Sequence, residues 1–400
     1  MPSTLSALAS SRGIKEGLLF LSKDKQWVNE KHLALCRIAS PTFFEQKRAE
    51  WFLQQFRALG CEASIDPAGN VVALLAPNAS GPYVAVTAHL DTVLSPRTPE
   101  EVSTRPDGSF YGPGVSDNGA GLAGLLAIVQ VLKKMPELEG ATAAPVFIAN
   151  VGEEGEGNLS GMRYLCRQSP LANKIRSYLV LDGPSTDHVT CQALASRRFE
   201  VSFAGPGGHS WSDYGVGNPV HALSRVITLF AENQPEPIEA IKSSFNFGVI
   251  DGGVSVNSIP NLARAKLDIR SESPGRLDVL TELLETCVNK ATEMENAQAT
   301  IARVTAKLRE TGSRPGGHLP AGAPILRYIA AVDDWLGIRS RIDCSSTDAN
   351  IPLSMGIPAV SIGAGGTGGG AHTPGEWFRP DGRDSGLKRI LLTLSLLLAE

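Results

Sequence analysis

Short apolar runs alternate with helical stretches along the first half of this chain, and that alternation leaves few folds open. From Leu33 to Leu59 the apolar spacing fits helix. Val71–Leu75 and Tyr83–Thr87 read as short buried strands, Ala120–Leu132 as an Ala/Leu-rich helix, and Val146–Val151 and Ser177–Leu181 as strands again. Strands taking turns with helices predict an α/β fold with a mostly parallel central sheet covered on both faces. In such sheets ligands collect at the carboxyl ends of the strands, so the residues just after each run matter most.

The middle of the chain has another rhythm. Arg198–Phe203, Ser244–Ile250, Arg264–Ile269 and Thr300–Leu308 read as strands, with helices at Pro219–Phe230 and Leu277–Thr292. The order β-α-β-β-α-β is the split pattern of a ferredoxin-like domain. Pro324–Leu336 is then helical, Ile357–Ile362 a buried strand, and Ile390–Ala399 part of a buried helix. Two organisations fit: tandem domains, or a lid at 193–309 inserted into one domain formed by 1–192 and 310–400. A length of 400 residues suits either.

Composition removes several classes of function. Lys+Arg 37 against Asp+Glu 41 leaves a net charge of -4, and no basic stretch could neutralise many phosphates, which argues against a nucleic-acid partner. The six cysteines stand singly, without a Cys-x-x-Cys pair, which excludes a zinc ribbon and argues against a disulfide framework. The apolar run Gly17–Leu21 is too short for a signal peptide's core, and it and Ile390–Ala399 are too short to span a membrane. The expectation is a soluble, reduced, cytoplasmic protein with no membrane partner.

After Tyr83–Thr87 come His89 and Asp91, and before the Ala/Leu-rich helix comes Asp117. Glu153 and Glu154 follow Val146–Val151, Asp182 follows Ser177–Leu181, and His372 lies past Ile357–Ile362 and a glycine-rich loop. Each has a bland reading alone: a chance His-x-Asp, a solvated Glu pair, a helix N-cap at Asp182. Together, at successive strand ends, they form a mixed imidazole and carboxylate set suited to Zn²⁺. Two ions can sit about 3.5–4 Å apart if a carboxylate bridges them. Asp117, at a turn opening a helix among small residues, is the natural bridge.

The strings around Ala88-His89-Leu90-Asp91, Ser116-Asp117-Asn118-Gly119, Glu153-Glu154-Gly155, Asp182-Gly183 and His372-Thr373-Pro374-Gly375-Glu376 resemble the co-catalytic di-zinc exopeptidase family. Its members include carboxypeptidase G, peptidase T, dinuclear dipeptidases, aminoacylase and succinyl-diaminopimelate desuccinylase. The resemblance runs in order from about Leu33 to the C-terminus, lid included. It implies that His89 and Asp182 bind one metal ion, Glu154 and His372 a second, and Asp117 both. It further implies that Glu153 is the general base acting on a metal-bridging water and then the acid toward the leaving nitrogen. Asp91 would hold the His89 imidazole, and the Asp117–Asn118 peptide would be cis. The ions would be Zn²⁺ first, with Co²⁺ or Mn²⁺ as alternatives.

In the lid the resemblance implies that His209 reaches across a homodimer interface to the partner's oxyanion, and that Arg270 with Asn257 grips a substrate carboxylate. From sequence alone His209 is equally a surface histidine and Arg270 a strand-end charge. Ser345 to Asp348 read as a turn and helix cap, and Glu376 as a group orienting His372 or capping the next helix. His32, His188, His221 and His318 read as structural or exposed. Within the family, Asp at position 182 resembles the aminopeptidase and dipeptidase members rather than the carboxypeptidases and deacylases, and the strings Ser345–Ser354 and Gly368–Thr373 look most like the peptidase-T-like branch. The short stretch between Asp91 and Asp117 lacks the hairpin insertion of true tripeptidases. The expected activity is removal of residues from short peptides, as an aminopeptidase or di/tripeptidase. An N-acyl amino acid deacylase or carboxypeptidase, or an inactive zinc-dependent binding protein, are the alternatives.

Overall fold

The computed structural model describes residues 2–75, 82–135, 141–239 and 241–400. The chain divides into two compact units, one formed by Met1–Ala193 with Gly317–Glu400 and one by Leu194–Gly316. The second junction falls beyond the expected 309/310, because the last strand of the second unit continues to Arg314.

The first unit opens with helices α1 (Pro2–Ser10), α2 (Arg12–Lys23), α3 (Lys25–Cys36) and α4 (Gln46–Ala58). The helical stretch expected from Leu33 to Leu59 is thus broken over 37–45, where Pro41 cannot donate to a helical hydrogen bond. Strands β1 (Glu62–Ile65), β2 (Val71–Leu74) and β3 (Tyr83–His89) follow, then the short β4 (Ser103–Thr104) and β5 (Phe110–Tyr111). Helix α5 (Gly119–Lys134) leads to β6 (Ala144–Asn150), α6 (Ser160–Arg167), β7 (Ile175–Leu181) and β8 (His188–Ala193). Helix α5 is apolar almost all round and buried along most of its length, as a helix enclosed on every side must be.

The second unit contains β9 (Ala195–Ala204), β10 (Gly208–His209), α7 (Pro219–Glu232), β11 (Ser243–Gly252), β12 (Ser258–Ile259), β13 (Leu262–Ser271), α8 (Pro274–Gln298) and β14 (Thr305–Arg314). The four long strands form an antiparallel sheet in the order β11-β13-β9-β14, and β10 pairs with β12 apart from it. Helices α7 and α8 share a core with that sheet through Phe199, Val201, Leu223, Phe230, Leu267 and Leu284. Asn218 caps α7 by accepting from the N–H groups of Val220 and His221, and Pro219 occupies the first turn. Strand β11 forms an open edge, along which Val249 and Ile250 are exposed.

The chain then re-enters the first unit through β15 (Gly317–His318), α9 (Pro324–Leu336), β16 (Arg341–Ser345), α10 (Asn350–Ser354), β17 (Ala359–Ile362), β18 (Thr367–Gly369), β19 (Trp377–Arg379) and α11 (Arg383–Leu398). The main sheet runs β1-β2-β6-β3-β7-β17-β8-β15, with β16 beside β8. Only β6, β3, β7 and β17 are consecutively parallel; β1, β2 and β15 pair antiparallel. The expected mostly parallel sheet is therefore mixed. The reason is local: β1 and β2 are joined by the short turn Asp66–Asn70, which permits a hairpin but no parallel crossover.

Side chains of the parallel strands alternate between two cores. Val84, Val86, Leu179 and Leu181 face the layer of α5 and α11, while Tyr83, Ala85, Tyr178 and Val180 face the layer of α6. Because β3, β6, β7 and β17 run in one direction, the residues after them line one rim. Strand β3 lies between β6 and β7, so the chain's connections diverge there and leave a crevice.

Candidate metal centre

The rim gathers the residues that strand-end reasoning singles out. His89 ends β3, Glu153 and Glu154 follow β6, and Asp182 follows β7 with its N–H donated to Ile362 O. Asp117 immediately precedes the α5 cap, Asn118, through a cis peptide. The Asn118 side chain staples that turn to β7: Oδ1 accepts from Gly121 N at 3.1 Å and Gly183 N at 3.0 Å, and Nδ2 donates to Leu181 O at 2.8 Å. Glycine at 121 is needed for this approach, since a Cβ would stand 2.2 Å from Asn118 Oδ1 and 2.6 Å from Leu181 O.

Asp117 stands between two imidazoles. Its Oδ1 lies 3.1 Å from His89 Nε2, and its Oδ2 lies 3.2 Å from His372 Nε2. Asp182 Oδ1 is 3.8 Å from His89 Nε2, and Glu154 Oε1 is 2.8 Å from His372 Nε2. Ligand atoms of His89, Asp117 and Glu154 all fall within 4.8 Å of one another. The donor chemistry fits a pair of divalent ions, with one Asp117 oxygen directed to each side. His89 and Asp182 could hold one ion, and Glu154 and His372 the other.

The imidazoles and carboxylates of this set shift one another's protonation. Burial alone would depress His89, yet hydrogen bonds with Asp117, Asp182 and Asp91 lift it well above the usual histidine range. Hydrogen bonds with Asp117 and Glu154 raise His372 to about 10. Burial opposes ionisation of Asp117, but the two imidazoles outweigh it and hold its carboxyl far below the ordinary range.

Asp91 is fully buried and serves the site in two ways. Its main-chain carbonyl lies 3.0 Å from His89 Nδ1, closer than its carboxylate at 3.6 Å. The carboxylate instead accepts from Glu153 N at 3.0 Å, Glu154 N at 2.9 Å and Thr42 Oγ1 at 2.9 Å. It therefore sets the main chain of both glutamates as well as neighbouring the imidazole.

Two groups depart from their sequence readings. Asp348 caps no helix; it turns inward, fully buried, and its Oδ2 accepts from Asn150 Nδ2 at 2.6 Å. Burial pushes its carboxyl up to about 7 against the opposing influence of His89 and Asn150. The signal available was Asn150 itself, a polar residue ending a strand just ahead of the glutamate pair. Glu376 neither orients His372 directly nor caps a helix; it accepts three main-chain N–H groups from the loop that carries Asp117.

In the second unit, β10 and β12 bring His209 and Asn257 together, with Ser210 N donating to Asn257 O. His209 Nδ1 accepts from Trp211 N at 3.2 Å, which leaves Nε2 to carry the proton. Arg270 lies apart on β13 and spends its Nε on Asp268 at 2.6 Å.

Comparison with known proteins identifies the family and the fold. The family model described as Peptidase family M20/M25/M40 matches residues 85–397. A succinyl-diaminopimelate desuccinylase of Bradyrhizobium sp. is 26% identical over 229 residues, covering 53% of this chain and 58% of that protein. This chain thus spans little more than half of that curated relative's length. Among solved structures, a tripeptidase from Staphylococcus aureus shares the fold with a TM-score of 0.76 at 19% identity, over 94% of this chain and 99% of that one. Aminopeptidase PepT from Bacillus cereus gives 0.72 at 17% identity, with the same coverage.

Proposed function

The chain belongs to peptidase family M20/M25/M40, and from that membership we propose that it is a metal-dependent exopeptidase acting on short peptides, as an aminopeptidase or di/tripeptidase. The observation that carries the reading is Asp117, poised between His89 and His372 with one oxygen toward each. His89, Asp117 and Asp182 would hold one divalent ion and Asp117, Glu154 and His372 a second, Zn²⁺ before Co²⁺ or Mn²⁺, and the pair would supply Lewis acidity and lower the pKa of a water.

The residues of the chain do the rest. Accepted by the Asp91 carbonyl, the Nδ1–H of His89 fixes the ring and leaves Nε2 for coordination. Glu153, buried and held by its N–H to Asp91, takes the proton from the attacking water and returns it to the leaving amine. His209 Nε2–H donates to the developing oxyanion in the site of a second copy, and Arg270 with Asn257 binds the substrate carboxylate. A homodimer through the second unit fits its open β11 edge and the exposure of Trp211 at 86% and Val256 at 103%. No helix among the described residues is long and apolar enough to cross a membrane. The free thiols of all six cysteines suit a cytoplasmic setting.

Deacylase or carboxypeptidase activity on N-acyl amino acids is the second reading, favoured by the likeness to a desuccinylase. The test is a metal-reconstituted assay on dipeptides, tripeptides and N-acyl amino acids, with products identified by mass spectrometry. Release of the N-terminal residue from a tripeptide is expected. Cleavage confined to N-acyl substrates would transfer the assignment to the second reading, and turnover of none would leave a binding protein.

A further inference from the structure

We propose that Glu376 is a positioning residue that joins the main chain of Asp117 to the turn bearing His372, and so fixes the spacing of ligands around the ions. The proposal rests on the di-metal reading above and assigns a part to a carboxylate outside the ligand set.

His372 needs support from elsewhere. It lies in the turn from Gly370 to Glu376, closed by Thr373 N and Thr373 Oγ1 on Gly370 O and by Glu376 N on Thr373 O. Its side chain is 49% exposed, and its φ of 64° lies in the left-handed region that few side-chain-bearing residues adopt. The turn becomes buried at its far end, where Glu376 is 2% exposed.

There the Glu376 carboxylate meets a concave run of main-chain donors. Oε1 accepts from Ser116 N at 2.7 Å and Asp117 N at 2.9 Å, and Oε2 accepts from Gly114 N at 2.8 Å. The Glu376 carbonyl accepts from Gly112 N, and β19 continues the pairing through Trp377 and Tyr111. Three N–H groups on one carboxylate form an anion nest, with the short charge-assisted bonds such a nest gives.

The same loop is held from its carbonyl side. His32 Nε2 donates to Val115 O at 2.7 Å, while its Nδ1 accepts from Arg383 Nη2 at 2.6 Å, and Cys36 Sγ donates to Gly114 O. These contacts anchor Asp117 to the core. Glu376 adds continuity with His372, four residues away, so that both oxygens of Asp117 and the second imidazole move as one piece.

Glu376→Gln keeps the shape and removes the match. Either placement of the amide NH₂ sets a donor against at least one loop N–H, so the loop and the turn must separate. The experiment is zinc titration of metal-stripped whole protein against a chromophoric chelator, with Co²⁺ absorption spectra reporting coordination and thermal denaturation reporting the fold. Wild type should take up two ions. The Gln variant should hold at least one of them about 10–100-fold more weakly, with an altered Co²⁺ spectrum. Wild-type affinities for both ions, with only a lowered melting temperature, would overturn the proposal and leave Glu376 a merely structural group. Fewer than two ions on wild type would instead remove the di-metal reading, and the proposal with it. Should the Gln variant not fold, Glu376→Asp, which withdraws the oxygens by one methylene, is measured in its place. Unchanged affinity and spectrum there would equally overturn the proposal.

Discussion

Asp91→Asn tests how far the site depends on a carboxylate that organises main chain. In the native protein Oδ1 serves Glu153 N, and Oδ2 serves both Glu154 N and Thr42 Oγ1. An amide offers a single acceptor oxygen, so one of the two glutamate N–H groups must face an NH₂. Leaving that buried donor unpaired costs about 1–3 kcal/mol. The bonds that survive fall from charge-assisted to neutral strength, a loss of about 1 kcal/mol each. With no solvent access at Asp91, the sum is about 3–5 kcal/mol. Urea denaturation of metal-stripped protein should show that loss, and reconstituted enzyme should lose about 10–100-fold in turnover or metal affinity as Glu153 and Glu154 shift. The pH dependence supplies a check. Burial raises the Asp91 carboxyl, but His89 and the two N–H groups outweigh it and hold it below its ordinary value of 3.8. A depressed carboxyl stabilises the fold above its unfolded pKa and loses that contribution as pH falls through the folded one. The gap between wild type and Asn variant should therefore close in acid. Equal denaturation midpoints and equal turnover at neutral pH would refute the account.

Glu153→Gln should retain two ions by elemental analysis yet turn over about 10²–10⁴-fold more slowly, if the residue moves protons as proposed and does not ligate the ions. Mixing inactive His209→Ala subunits with inactive Glu153→Gln subunits should restore about a quarter of wild-type activity, because about half of randomly exchanged dimers are mixed and each has one intact site. No recovery despite proven exchange would show that His209 does not act across an interface. His372, raised from 6.5 to about 10 by Asp117 and Glu154, stabilises metal-stripped protein fully below 6.5 and loses that contribution as pH rises through 10. The metal-stripped protein should thus weaken over that window in thermal denaturation, and His372→Ala should flatten the slope.

What the sequence disclosed follows from which forces are local. The parallel strands at Tyr83–His89, Ala144–Asn150 and Ile175–Leu181 are mostly apolar and buried, and polar residues at their ends stand out against them. His89, Glu154 and Asp182 stood out in that way, Asp117 at the turn opening a helix and His372 past a glycine-rich loop, and the fold brings their side chains within 3.8 Å of one another pairwise along the set. The edge of the sheet was not, because β1 is a short, largely exposed strand without a clear apolar period. The break between α3 and α4 was hidden because apolar spacing continues through 37–45, although Pro41 marks the interruption. The pairing of Asp348 with Asn150 escaped notice for another reason. A buried polar pair is defined by two residues far apart in sequence: Asn150 stood out as a polar strand end, but nothing local tied it to Asp348.

Two buried carboxylates that are not in the ligand set share a single mode of action. Asp91 gathers the N–H groups of Glu153 and Glu154 beside His89, and Glu376 gathers those of Gly114, Ser116 and Asp117 beside the turn of His372. Each places a full negative charge in the interior of a site already crowded with carboxylates, which is tolerable only where dipoles converge on it. In the loop at 112–118, Gly112 and Gly114 take positive φ, and their N–H groups donate to the Glu376 carbonyl and carboxylate, while Gly152, also at positive φ, donates its N–H to Glu45. A metal site on the proposed ligands would keep its geometry through two carboxylates and the five main-chain N–H groups they gather, and exchanging either acid for its amide isostere should disturb those ligands without emptying any volume.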